Sequence, residues 1–188
     1  MSTTALDVQP AREPDDQQLI TRARAGDEHA TDALVRRYLA DVYAVTLRVL
    51  NDVELAQDAA QETFLNALRG LPSFRGESSF RTWLLRIAVN SARTVARRHF
   101  QRREVSLEVV QDVVAIEIDT AQAVTTRMEA ERVRSVVEQL PEKQRLAVSL
   151  RINQGLSYQE IGKILDCTEG AARVNYHLGM KRLRELVQ

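Results

Sequence analysis

Between Phe74 and Arg103 the chain carries eight arginines, at positions 75, 81, 86, 93, 97, 98, 102 and 103, and one acid, Glu77. Guanidinium groups hold phosphates and carboxylates through paired N–H donors. The stretch has net charge +7, although the formal charge of the whole chain is zero. Residues 1–72 carry net −5, residues 104–131 net −6 and residues 132–188 net +4. Such segregation suggests two basic modules facing a polyanion, with acidic surfaces turned elsewhere. The alternative is a set of solvated helix faces. An ordinary soluble helix mixes in acids to form i, i+4 pairs, and the basic segment contains none beyond Glu77.

At about 100° per residue, a helix over 79–100 places Phe80, Leu84, Ile87, Ala88, Ser91 and Val95 on one stripe. Arg86, Asn90, Arg93 and Arg97 fall nearly opposite. One face is thus core, and the other offers three guanidiniums with an amide among them. Arginines neutralise phosphates, and Asn can read a base edge. Trp83 borders the polar stripe, either as a packed side chain or as a platform for an unpaired base.

A second basic module, "LSYQEIGKILDCTEGAARVNYHLGMKRLRE", has the layout of a helix-turn-helix. Ser157 and Glu160 form a capping box for its first helix. Ile161, Ile164 and Leu165 supply its inner face. Asp166 would take a left-handed turn position, and Thr168 would cap the second helix. Gly162 in mid-helix is unfavourable unless a close crossing leaves no room for a side chain there. Arg173, Tyr176, His177 and Lys181 would project from the recognition helix. A plain helical hairpin is the competing reading.

Other chemistries find no support. Cys167 is the one cysteine, which excludes an internal disulfide and a four-cysteine zinc site and suits the reducing cytosol. It is read as a small packed side chain. His29, His99 and His177 are far apart, and no nucleophile elbow, phosphate loop or His-x-x-x-His motif is present. No enzyme activity, metal or cofactor is expected. The opening residues lack an apolar core, so no signal peptide is expected. No run of 18 apolar residues occurs, so no membrane insertion is expected.

The elements that must position these groups read as all-α. Residues 1–14 are polar, interrupted by Pro10 and Pro14, and read as disordered. Helices are expected over about 15–25, 27–50, 52–70 and 79–100. Leu34, Tyr38, Val42, Val45 and Val49 point inward from the second, and Leu55, Ala59, Phe64 and Leu68 from the third. Residues 104–124 are acidic, β-branched and aperiodic, and read as a flexible linker. Helices resume near Thr125, with one ending near Leu140, the next starting at Pro141 and running to about Asn153, and the helix-turn-helix after Gly155. The domain map is therefore two small helical domains, 15–103 and 125–188, joined by an acidic tether.

"DAAQETFLNALRGLPSFRGESSFRTWLLRIAVNSARTVARR" and, after the tether, "LPEKQRLAVSLRINQGLSYQEIGKILDC" together resemble the extracytoplasmic-function group of bacterial sigma factors, over about residues 17–187. The resemblance implies a cytoplasmic protein that binds core RNA polymerase and promoter DNA and stabilises the melted −10 strand. The first domain would meet the polymerase clamp through Asp58, Gln61, Glu62 and Phe64. It would face the −10 element through Phe74, Arg75, Arg81, Trp83, Arg86 and Asn90, joined by Arg93 and Arg97 of the stripe, with the loop 73–79 holding a flipped base. The second would contact the flap and read the −35 element with Arg151, Ser157, Tyr158, Arg173, Asn175, Tyr176, His177 and Lys181. Asn175, Leu178 and Met180 stand where many relatives carry basic residues, so the phosphate grip at the −35 element would be weaker. An anti-sigma protein is an implied partner. The acidic tether would also be able to fold over a basic face and mask it. The rival reading is a helix-turn-helix regulator acting on duplex DNA without polymerase.

Overall fold

The computed structural model describes residues 14–105, 137 and 139–187. All their regular structure is helical, as expected: α1 (Asp16–Arg24), α2 (Glu28–Leu50), α3 (Val53–Gly70), a 3-10 turn (Leu71–Ser73), α4 (Phe80–Val105), α5 (Glu142–Ile152), α6 (Tyr158–Leu165) and α7 (Glu169–Val187). The N-terminal tail, most of the acidic linker and most of the helix expected to end at Leu140 lie outside the described residues. No helix among the described residues is long and apolar enough to cross a membrane.

Caps set the boundaries where the sequence places them. Asp15 accepts the Gln18 N–H at 2.8 Å, and Asp52 accepts the Leu55 N–H at 2.9 Å, each satisfying a donor that the helix itself leaves open. Helix α4 runs five residues beyond the expected end, through the arginine-rich segment to Val105.

Compact units divide at Arg37–Tyr38, inside α2. In the first, α1 and the start of α2 bury Leu19, Ile20, Ala30 and Leu34. Arg37 ties them by donating to Asp16 at 2.7 Å and to the Pro14 carbonyl at 2.8 Å. In the second, α4 packs against both α3 and α6, and α7 packs against α5 and α6.

Helix α3 corrects the expected inward face. It buries Ala56, Ala59, Ala60, Thr63 and Ala67. Of the residues expected inside, Ala59 is buried, Leu55 and Phe64 are half-buried, and Leu68 is exposed. The small side chains let two helix backbones approach closely, and the larger ones are left at the margin. Ala59, Ala92 and Val95 form one such contact between α3 and α4. Helix α4 is also more enclosed than its stripe suggested, because Thr82, Leu85, Val89 and Ala92 are buried as well. A helix covered on two sides needs an apolar surface wider than one stripe.

In the C-terminal part, Leu146, Leu150, Leu156, Ile161, Ile164, Leu165 and Ala172 form the core. Gly162 shows why a glycine stands in mid-helix: a Cβ there would lie 2.7 Å from the Cys167 carbonyl oxygen. Gly179, not anticipated from sequence, does the same for the α5–α7 crossing, where a Cβ would lie 2.7 Å from Val148. Glycine-to-alanine changes normally strengthen a helix. Gly162→Ala is expected to do the opposite, because the blocking atom belongs to the backbone. Thermal unfolding followed by circular dichroism should show Tm falling by several degrees.

Candidate nucleic-acid interface

Helix α4 presents Arg86, Asn90 and Arg97 as exposed and Arg93 as half-buried. The open cationic face read from the wheel requires a correction. Arg86 pairs with Asp166 at 3.1 Å, and Arg93 with Glu142 at 2.8 Å. Arg81 pairs with Asp41 at 2.7 Å and donates to the backbone carbonyl and side-chain oxygen of Gln154. Within the stripe, Arg97 alone has no ion-pair partner among the described residues. Helix α4 itself offers no acid, so its guanidiniums take carboxylates from α2, from α5 and from the helix-turn-helix bend. Two further bonds tie the same face to α6. The Thr82 hydroxyl donates to Glu160 at 3.2 Å, and Lys163 donates to the Glu77 carbonyl at 2.9 Å.

Beside this contact a cavity of about 350 Å³ is lined by Ser73, Phe74, Arg75, Trp83, Arg86 and Lys163, among others. Its aromatic wall is ordered by ring packing, with centroids 4.9 Å apart for Phe74 and Trp83 and 5.5 Å for Phe80 and Trp83. Trp83 combines both roles read from sequence. A Cβ at Gly70 would sit 3.2 Å from its ring, so one edge is packed, and the ring also lines the cavity. Arg75 is exposed, with Glu77 at 3.3 Å.

On α3, Asp58 and Gln61 are exposed, while Glu62 and Phe64 are half-buried. Glu62 pairs with Arg98 at 2.5 Å. Sequence reading missed Leu65, an exposed leucine one turn beyond Gln61. The i, i+4, i+7 spacing of Asp58, Gln61 or Glu62, and Leu65 was the available signal.

The helix-turn-helix forms as read. Ser157 and Glu160 make the reciprocal capping box, and Asp166 takes the left-handed position at φ 55°. The Thr168 hydroxyl oxygen accepts the Ala171 N–H at 3.1 Å. Tyr158 gathers the candidate −35 residues around one ring. The guanidinium carbons of Arg151 and Arg173 lie 4.9 and 5.3 Å from its centroid. Tyr176 packs on its other neighbours, 5.7 Å from Tyr158 and 5.3 Å from His177. Two candidates are engaged locally: Ser157 in the cap, and Asn175, whose amide donates to the Ala171 carbonyl at 2.8 Å within its own helix. Lys181 is exposed, 3.9 Å from Glu185. Lys163 was passed over in the sequence, although it points away from the Ile161–Ile164 face.

The backbone and hydroxyl of Ser157 hold the Glu160 carboxyl below the usual range. The Thr82 hydroxyl and the nearby Arg81 charge add to this against the opposing effect of burial.

Residues 34–104 match the family model described as Sigma-70 region 2, and residues 130–183 match that of Sigma-70, region 4. The RNA polymerase sigma-H factor of Pseudomonas aeruginosa is 39% identical over 166 residues, covering 84% of this chain and 86% of that protein. The ECF RNA polymerase sigma-E factor of Haemophilus influenzae is 35% identical over 181 residues, covering 92% and 93%. The chain belongs to the ECF family of RNA polymerase sigma factors. As a sigma factor it directs RNA polymerase to promoters, and the reading as a polymerase-independent regulator is set aside. Sigma factors are not themselves enzymes. Among solved structures, CnrH in complex with the cytosolic domain of CnrY shares the fold, with TM-score 0.69 and 23% identity over 92% of this chain and 96% of that one. So does the sigma factor RpoE, in complex with the anti-sigma factor NepR from Bartonella quintana, with TM-score 0.68 and 22% identity over 83% and 95%.

Two outcomes follow for this sigma factor. Glu160, with its folded-state pKa depressed, contributes stability that is present above the ordinary carboxylate pKa and lost as pH falls through the folded value. Unfolding midpoints measured from pH 6 to 3 should decline, and Glu160→Gln should flatten that decline. Tyr158→Leu should weaken binding of −35 duplex about tenfold, because two cation–π contacts vanish. Tyr158→Phe, which keeps the ring, should bind within twofold of the parent in a fluorescence anisotropy titration.

Proposed function

We propose that α4 and the loop before it capture the melted −10 strand of the promoter, and that the Tyr158 cluster grips the −35 duplex. The observation that supports this is the aromatic cavity of Phe74 and Trp83, set on the same helix as Arg81, Arg86, Asn90, Arg93 and Arg97. Phosphates of a separated strand would take the guanidiniums while an unstacked base enters the cavity beside Arg75. Stacking on an aromatic contributes about 1–3 kcal/mol per base, which offsets the few kcal/mol per base that unstacking and unpairing require. Without polymerase to hold the strand nearby, binding at this face stays weak.

Asp58, Gln61, Glu62 and Phe64, with Leu65 beside them, form the proposed contact with the polymerase clamp. Their acidic rim around half-buried apolar groups suits a basic partner. Arg151, Tyr158, Arg173, Tyr176, His177 and Lys181 are the proposed −35 contacts. For Ser157 and Asn175 the bonds within the chain support a structural role. The same reading divides the molecule into domains 15–103 and 125–188, the second also meeting the polymerase flap. It places the protein in the cytoplasm and includes an anti-sigma protein among its partners.

In vitro transcription with core RNA polymerase on a promoter library tests the reading and returns the recognised bases. Trp83→Ala should then lower open-complex formation, followed by permanganate reactivity of −10 thymines, by about tenfold. The −35 duplex affinity of the full chain should be unchanged. Equal strand opening by parent and variant would remove Trp83 from the site.

A further inference from the structure

We propose that the free protein closes one of its two DNA faces and leaves the other open, with the helix-turn-helix unit acting as the cover of the −10 face. The proposal rests on the reading of α4 as the strand-capturing helix and concerns the regulation of that site.

Every strong contact on the covered face runs to groups distant in sequence. Arg81 reaches Gln154, Arg86 reaches Asp166, Arg93 reaches Glu142, and Thr82 reaches Glu160. Lys163 reaches across to the loop beside the aromatic cavity, at Glu77. The side chains of Arg81 and Arg93 keep only 28% and 33% of their surface. The −35 face differs. Arg173 and Lys181 keep 57% and 75%, and their acidic partners, Glu169 and Glu185, stand one turn away on the same helix. Such i, i+4 partners swing aside without moving any element. Freeing α4 requires the helix-turn-helix to move as a body.

The chemistry of the cover explains how it would release. Carboxylates of Glu142 and Asp166 occupy the guanidinium positions that phosphates would take. Strand binding at Arg86 and Arg93 is then an exchange of one oxyanion for another, not a gain of new pairs. Asp166 is largely exposed, so its pair with Arg86 is screened by salt and is a latch, not a core. The closed chain can therefore hold a −35 duplex while refusing the −10 strand.

The test uses the full-length protein with two labelled probes from the strongest promoter of the library selection: the −10 single strand and the −35 duplex. Glu142→Gln with Asp166→Asn removes both carboxylates, and asparagine tolerates the left-handed position. A charge-matched control removes Asp32 and Glu54, which pair with no α4 arginine. The latch variant should bind the strand about three- to tenfold more tightly than the parent. Its salt slope should steepen by about one unit, since each freed arginine now releases counterions, at about 0.7 per phosphate. Its affinity for the duplex should stay within twofold, which also reports that the helix-turn-helix is folded. Unchanged strand affinity overturns the proposal. So does a parallel rise for both probes, or an equal rise in the control, since either would be general electrostatics. Core polymerase with the parent protein separates the two levels. If that complex retains the strand no better than polymerase alone, the reading of α4 fails and the cover fails with it. If it retains the strand and the latch variant matches the parent, the cover alone is wrong.

Discussion

A guanidinium on a helix with no acids of its own must find an oxyanion somewhere else. That constraint organises this sigma factor. The arginines of α4 draw on Asp41, Glu142 and Asp166, and each of these carboxylates presents the same pair of oxygen acceptors as a backbone phosphate. The geometry that lets α4 hold nucleic acid is therefore the geometry that lets it hold its own chain. Charge segregation along the sequence makes this possible. A helix supplied with i, i+4 partners would be neutral and indifferent to both.

The cationic side works only because the opposite side is held rigidly. Small residues do this. Ala56, Ala59, Ala60 and Ala67 on α3, with Ala88 and Ala92 on α4, are all essentially buried and bring helix backbones close. Gly162 and Gly179 do the same where α6 turns into α7 and where α7 crosses α5. Close crossings transmit displacement poorly through side-chain rearrangement and well through whole helices, which suits units that move as bodies. Around Tyr158 the scheme is repeated in smaller form: one ring fixes two arginines that would otherwise lose rotamer freedom on binding.

The sequence by itself determined the local features: helix starts at Asp15, Asp52 and Ser157, the left-handed Asp166, the close crossing at Gly162, and a charge pattern specific enough to indicate the family. Each depends on residues within about four positions, where backbone sterics and hydrogen bonding leave few choices. Tertiary structure decided which face of α3 is buried, because alanine and leucine both qualify as apolar and only the separation of the helices chooses between them. It decided that Trp83 both packs and lines a cavity, a division of one side chain that no spacing rule expresses. Above all it decided that Arg81, Arg93 and Arg86 meet acids 40, 49 and 80 residues away. A helical wheel counts neighbours along one rod. Coulomb attraction acts through space, and which carboxylates arrive at the rod is set by the path of the chain.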